Sequence, residues 1–131
     1  VTKYNANKVK LDGIKFDSQM ESLYYKHLKI LEKANIISFF VCHPQYILQD
    51  SYRNDEGVKI RAIKYIADFE VTYPDGRVEI VDIKGKETEV FKIKKKLFEY
   101  RYPGKKIICM KHTKTWGWET LEEAKLRGKK K

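Results

Sequence analysis

Two aspartates and a lysine, Asp68, Asp82 and Lys84, sit in the run IADFEVTYPDGRVEIVDIK, inside segments that otherwise read as β-strands. A type I turn at Pro74 and Asp75, followed by Gly76 in the left-handed bulge position, pairs Tyr73 with Arg77. Counting outward from that pair sets Asp68 opposite Asp82, and strand alternation puts Lys84 on the same face as Asp82. The facing Cβ atoms are then expected about 5 Å apart. Like charges in that position cost a sheet up to about 1 kcal/mol, and more when buried, so a structural role explains them poorly. A divalent cation removes the repulsion. Carboxylate oxygens are the ligands Mg²⁺ selects, and the waters it keeps can serve as nucleophiles. The competing reading is a solvated sheet face shared with Lys64, Glu70 and Thr72. A turn one residue different would send the two acids to opposite sides.

Glu21 carries two readings of its own. Ser18-Gln19-Met20-Glu21 fits a capping box, in which the acid only secures a helix start. Positions 21, 24, 25 and 28 also share one helix side, and Tyr24 and Leu28 should turn it toward the sheet and the acids. His27 reads as a core histidine rather than a base. Lys92, Lys95 and Lys96 follow the DIKG segment closely and read either as a solvated helix face or as phosphate contacts. Lys64, on the face of Asp68, and Lys86, just after Lys84, are further candidates for backbone phosphate.

These residues need elements to hold them. VKLDGIKF alternates around Asp12-Gly13, which predicts a tight hairpin. A helix is expected from Ser18 as N-cap to Asn35 as left-handed terminus, with Met20, Leu23, Tyr24, His27 and Leu31 at helical spacing. IISFFVCHPQYILQDSY is β-rich and bent or interrupted at Pro44. After the turn SYRNDEG come two long strands around Pro-Asp-Gly. A second helix is expected over 88–102, with Val90, Ile93, Leu97 and Tyr100 on one stripe and Lys92, Lys95, Lys96 and Glu99 opposite. The strand KIICM follows, then a short last helix opened by a Thr120/Glu123 capping box, then a basic tail at 128–131. The order is helix, three strands, helix, strand: an α/β layer arrangement with helices on a sheet.

The bulk composition agrees with one domain over 1–131. At 131 residues, 42% hydrophobic and 13% aromatic, the chain has material for one core. Twenty-eight Lys and Arg against 18 Asp and Glu give +10, which suits a polyanionic partner such as nucleic acid. No apolar run is long enough to cross a membrane, and VTKYNANKVK lacks a signal-peptide core, so a cytoplasmic location is expected. Cys42 and Cys109 read as free buried thiols, and no zinc site is suggested.

Asp68, then Asp82-Ile83-Lys84 on the next strand, with Glu21 on the preceding helix, resembles the PD-(D/E)XK nuclease superfamily, whose core order is αβββαβ. The similarity covers roughly 18–110. The phrases KVKLDGIKFDSQMESLYY, YIADFEV, DIKG and FKIKKKLFEYRYP further resemble small phage and prophage proteins placed in that superfamily and the nuclease subunit of certain transposases. Ala67 stands where the superfamily's name has proline. The resemblance implies a restriction endonuclease-like fold, with a mixed sheet flanked by helices, an N-terminal β-hairpin and a short C-terminal helix. It implies that Asp68 and Asp82 ligate Mg²⁺ or Mn²⁺ with the Ile83 carbonyl, that Glu21 joins them directly or through water, and that Lys84 serves the attacking water. Gln45 corresponds to a position some relatives use near the scissile phosphate. The expected activity is Mg²⁺-dependent DNA endonuclease, with a dimeric branched-DNA or Holliday-junction resolvase as the preferred subclass. A transposase-like nuclease subunit working with a phage or transposition partner, an exonuclease and a non-catalytic DNA-binding scaffold are the alternatives. RNA remains open as substrate.

Overall fold

The computed structural model describes residues 8–129. The basic tail at 128–131 therefore falls partly outside the described residues. The first strands, β1 (Val9–Leu11) and β2 (Ile14–Phe16), pair as the expected ribbon. Asp12 and Gly13 both take positive φ, 52° and 79°, as a tight two-residue hairpin turn requires. Helix α1 (Gln19–Lys33) begins where Ser18 Oγ accepts the Glu21 N–H at 3.2 Å. It ends before Asn35, which takes the left-handed conformation at φ 61°.

The buried side of α1 differs from the expected apolar stripe. Tyr24, Tyr25 and Leu28 are buried together with Glu21, whereas Met20 and Leu23 are 41% and 43% exposed. Two adjacent tyrosines bury more apolar area than Met20 and Leu23 would, and aromatic partners await them. Tyr24 packs on Phe69 at 5.5 Å and Tyr25 on Phe16 at 5.1 Å between ring centroids. His27 is half-buried, its ring against those of Tyr24 and Trp118, and desolvation lowers its pKa.

One long ribbon follows. Its first arm runs through β3 (Phe39–Cys42), β4 (Gln45–Gln49) and β5 (Tyr52–Arg53). The second returns through β6 (Lys59–Ile60), β7 (Ile63–Ile66) and β8 (Phe69–Thr72). Cys42 pairs with Phe69 and Gln45 with Ile66, so the register runs unbroken across the gap between them. That gap is the expected interruption at Pro44. Pro44 has no N–H for the ladder, and His43 takes φ 54°, which bends the arm. The bend is bridged by His43 N–H to the Asp68 carbonyl (2.9 Å) and Ala67 N–H to the Pro44 carbonyl (3.1 Å).

The chain then forms β9 (Val78–Ile83), α2 (Glu89–Arg101), β10 (Lys106–Thr113), β11 (Gly117–Thr120) and α3 (Leu121–Lys129). Among the described residues five strands make one mixed sheet, in the order β11-β10-β9-β8-β3. β9 and β10 are parallel, joined by α2, and the other pairs are antiparallel. Strand β11 was not expected. The signal lay in Gly117 (φ 69°) between Trp116 and Trp118, and the Thr120/Glu123 box that opens α3 leaves no gap after the strand.

α2 corrects its expected stripe. Phe91 and Phe98 are buried, and Val90, Ile93 and Tyr100 are 64%, 60% and 89% exposed. Phenylalanines seven residues apart outcompete the aliphatic stripe because they pack against Tyr65, at 6.2 and 5.9 Å between ring centroids. Two apolar clusters result. Phe91, Phe98, Tyr46, Tyr65, Ala67, Ile80 and Ile107 fill the space under α2, and Tyr24, Tyr25, Leu28, Phe69, Val71 and Val81 fill the space under α1. Cys42 and Cys109 are free thiols, and burial pushes the Cys109 thiol up to about 12. No helix among the described residues is long and apolar enough to cross a membrane.

Candidate metal centre

The β8–β9 hairpin has the register counted from its turn. Tyr73 N–H bonds the Arg77 carbonyl at 2.9 Å, Gly76 takes φ 91°, and pairing runs from Thr72↔Val78 to Phe69↔Val81. Beyond Phe69 the ribbon bends, and the ladder opens at Asp68 and Asp82, the residues next after its last pair. Their carboxylates fill the opening by bonding across it. Asp82 Oδ1 accepts the Asp68 N–H at 3.0 Å, and Asp68 Oδ2 accepts the Ile83 N–H at 2.8 Å. The Asp68 N–H is shared with the Val81 carbonyl at 3.2 Å. The bend at Pro44 and the acids are thus one local structure: side-chain acceptors replace ladder bonds that the diverging strands cannot make.

Asp82 is 4% exposed and carries further partners. Tyr65 donates its O–H to Asp82 Oδ2, and Lys84 Nζ stands 3.6 Å from the same oxygen. The Lys84 ammonium also lies over the Phe91 ring, 3.9 Å from its centroid, while the backbone N–H of Lys84 bonds the Met110 carbonyl at 3.0 Å. Lys84 is therefore fixed by a carboxylate, an aromatic face and the neighbouring strand, yet it remains partly open to the pocket.

Burial pushes the Asp68 carboxyl up to about 8; Glu21 and Asp82 nearby add to the rise, and the Ile83 N–H and Lys84 oppose it. Burial likewise raises Glu21, against the Asp17 N–H that its Oε1 accepts at 3.4 Å. Glu21 thus takes part in the helix start through its own N–H, while its carboxylate, bonded weakly to Asp17, also lines the acidic pocket. Only half of the capping box forms, because the Glu21 carboxylate takes the Asp17 N–H instead of that of Ser18.

One open pocket of about 410 Å³ gathers Glu21, Lys64, Asp68, Asp82, Ile83 and Lys84. Tyr65, Phe91 and Lys94 also line it, and sequence reasoning missed all three. Lys94 follows Phe91 by three residues, so choosing the Phe91/Phe98 stripe would have found it. Tyr65 alternates with the exposed Lys64 and Ile66, which marks it as the inward residue of β7. Gln45, Lys86, Lys92, Lys95 and Lys96 are not among the residues that line this pocket. Gln45 pairs with Ile66 at the start of β4, and Lys95 lies 3.7 Å from Glu87. The rotation of α2 that buries Phe91 accounts for the lysines: it brings Lys94, rather than Lys92, Lys95 or Lys96, to the pocket.

Among the described residues no three His, Cys, Asp or Glu side chains gather into a metal-ligand set. The pocket is therefore not an all-protein cage. Its lining includes the carboxylates of Asp68 and Asp82, each bonded to the backbone of the other strand, with Glu21 and Ile83 also on the wall. Mg²⁺ is typically held by one or two carboxylates and keeps several waters, so the donor chemistry fits that ion and not zinc.

Fold and pocket define an α/β protein with a mixed sheet flanked by helices and an acid-acid-lysine cluster where its central hairpin opens. The chain belongs to the family described as "Protein of unknown function (DUF1064)", whose model matches residues 1–116. No curated protein matches the chain.

Proposed function

We propose that the protein is a Mg²⁺-dependent DNA endonuclease with a restriction endonuclease-like core, acting on branched DNA. The observation that carries this reading is the opened hairpin, which directs Asp68, Asp82 and Lys84 into one pocket with Glu21. The sequence of α1, β3, β8, β9, α2 and β10 supports the αβββαβ core. Asp68 and Asp82 would hold the ion, with the Ile83 carbonyl and Glu21, directly or through water, as further ligands. A bound Mg²⁺ supplies Lewis acidity at the phosphate oxygens as they gain charge. Lys84 orients the attacking water and offsets charge developing at phosphorus. Tyr65, by donating to Asp82 Oδ2, fixes the orientation of that carboxylate. Lys64 and Lys94 place cations at the pocket wall for flanking phosphates. Lysines meet phosphate as point charges and do not read bases, which favours recognition of DNA shape over a long sequence.

The test is incubation with linear duplex, single-stranded, forked and four-way DNA in Mg²⁺, Mn²⁺ and EDTA. Cleavage is expected with either metal, strongest on branched substrates, and none in EDTA. Activity that persists in EDTA would refute the reading, and metal-independent binding without cleavage would favour a DNA-binding scaffold.

A further inference from the structure

Across the 85–88 turn from the acidic pocket lies a second cleft of about 410 Å³. Four parts of the chain wall it with ammonium groups: Lys86 from the turn, Lys92 from α2, Lys111 from β10 and Lys125 from α3. Glu87 is the carboxylate among its lining residues, and that group is already engaged by Lys95 and by the Cys109 thiol, both at 3.7 Å. Lys92 pairs with Glu89 at 3.4 Å on an exposed helix surface, a contact of little strength. Lys111 faces Glu119 across the β10/β11 ladder, but Glu119 is held by Arg127. Among the described residues Lys86, Lys111 and Lys125 form no ion pair.

Cations converging on a concavity with little opposing charge build a positive potential that attracts anions. The cleft and the acidic pocket are also neighbours along the chain. Lys84 and Thr88 line the pocket, while Gly85, Lys86 and Glu87, between them in the chain, line the cleft. At Gly85 an added Cβ would meet nothing within 4 Å, so the turn is open on that side.

We propose that this cleft binds backbone phosphates of the DNA strand whose scissile phosphate occupies the acidic pocket, with the strand crossing the 85–88 turn at Gly85. The inference rests on the nuclease reading of the pocket and adds where the substrate leaves it. Four ammoniums spread around an open cleft match successive phosphates rather than a single enclosed anion.

Fluorescence anisotropy of a labelled duplex in EDTA, with salt varied from about 50 to about 200 mM, measures the binding without cleavage. Lys86→Ser/Lys111→Ser/Lys125→Ser is expected to weaken binding by at least about tenfold and to lower the salt slope by about 2–3. Lys15→Ser/Lys26→Ser/Lys33→Ser removes the same charge from exposed positions elsewhere and is expected to change the slope little. Because Lys111 is half-buried, Lys86→Ser/Lys125→Ser, at two exposed positions, serves as a second variant, with an expected slope loss of about 2. Equal effects from the cleft and control variants, or no binding by the wild type, would overturn the proposal. So would displacement of the duplex by inorganic phosphate beyond its ionic-strength effect, which would indicate a single-anion site. Binding that follows the cleft lysines without cleavage in Mg²⁺ would remove the nuclease reading and leave the cleft. Cleavage with an unchanged slope in the cleft variants would do the reverse.

Discussion

Asp82→Asn is expected to reduce Mg²⁺-dependent DNA cleavage on the order of 10³-fold and to weaken divalent-metal binding at the same time. Asp82 is the most engaged of the pocket acids. Its Oδ1 accepts the Asp68 N–H, and its Oδ2 takes the Tyr65 hydroxyl and faces Lys84. An amide in its place removes the charge and sets an NH₂ against one of those donors. The substitution should therefore also cost about 1–3 kcal/mol of stability, visible as a lowered Tm. Lys84→Ala separates the two effects. Removing a cation 3.6 Å from Asp82 Oδ2 leaves both carboxylates in place, so metal affinity should hold or rise. Cleavage should still fall by about 10²–10³-fold, because the ammonium acts on the reacting groups and not on the ion. Calorimetric metal titrations beside single-turnover cleavage would resolve the pair. If Lys84→Ala and Asp82→Asn lost metal binding equally, the division of labour between acid and lysine would be wrong.

Asp68→Asn is expected to stabilise the metal-free protein at pH 8 while abolishing stabilisation by Mg²⁺. Burial holds the Asp68 carboxyl at about 8 in the folded chain, against an ordinary value of 3.8. The folded state thus keeps a proton that the unfolded state releases near pH 4. Stability from this group is full below about pH 4, is lost progressively as pH rises toward about 8, and levels off above that. An asparagine has no proton to lose. Measured in EDTA, the Tm of Asp68→Asn relative to wild type should climb between pH 5 and pH 8, reaching roughly 5–10 °C for about 2 kcal/mol. A metal ion replaces the proton, so Mg²⁺ should raise the wild-type Tm more at pH 8 than at pH 5. The variant should show little response to Mg²⁺ at either pH. Parallel pH profiles for the two proteins would mean that Asp68 is not held protonated by its surroundings.

Most of the site's geometry follows from one turn. Pro74-Asp75-Gly76 fixes a register by local chemistry, so the pairing from Thr72↔Val78 to Phe69↔Val81 could be counted from the sequence, and Asp68 and Asp82 follow directly on its last pair. The helix caps at Ser18 and Thr120 were legible for the same reason: each is set by residues a few positions apart. Tertiary competition was less visible. Whether α2 buries Val90, Ile93 and Tyr100 or Phe91 and Phe98 depends on what the sheet offers, and Tyr65 and Ile80 are distant in sequence; Leu97, also expected to turn inward, packs against the same core. That choice rotated the helix and brought Lys94 to the pocket. The opening of the strands at Asp68 was half legible. Pro44 announced a bend, but its placement opposite Ala67 and Asp68 required the register of the whole ribbon, including the bulge between Ile47 and Gln49.

Anomalous diffraction from crystals soaked in Mn²⁺ tests the account most directly. One peak or two are expected in the acidic pocket, with carboxylate oxygens of Asp68 and Asp82 as ligands at roughly the 2.1 Å typical of a hard divalent ion. A crystal that takes up Mn²⁺ only elsewhere, or leaves both aspartates bonded solely to Tyr65, Lys84 and the backbone, would contradict it.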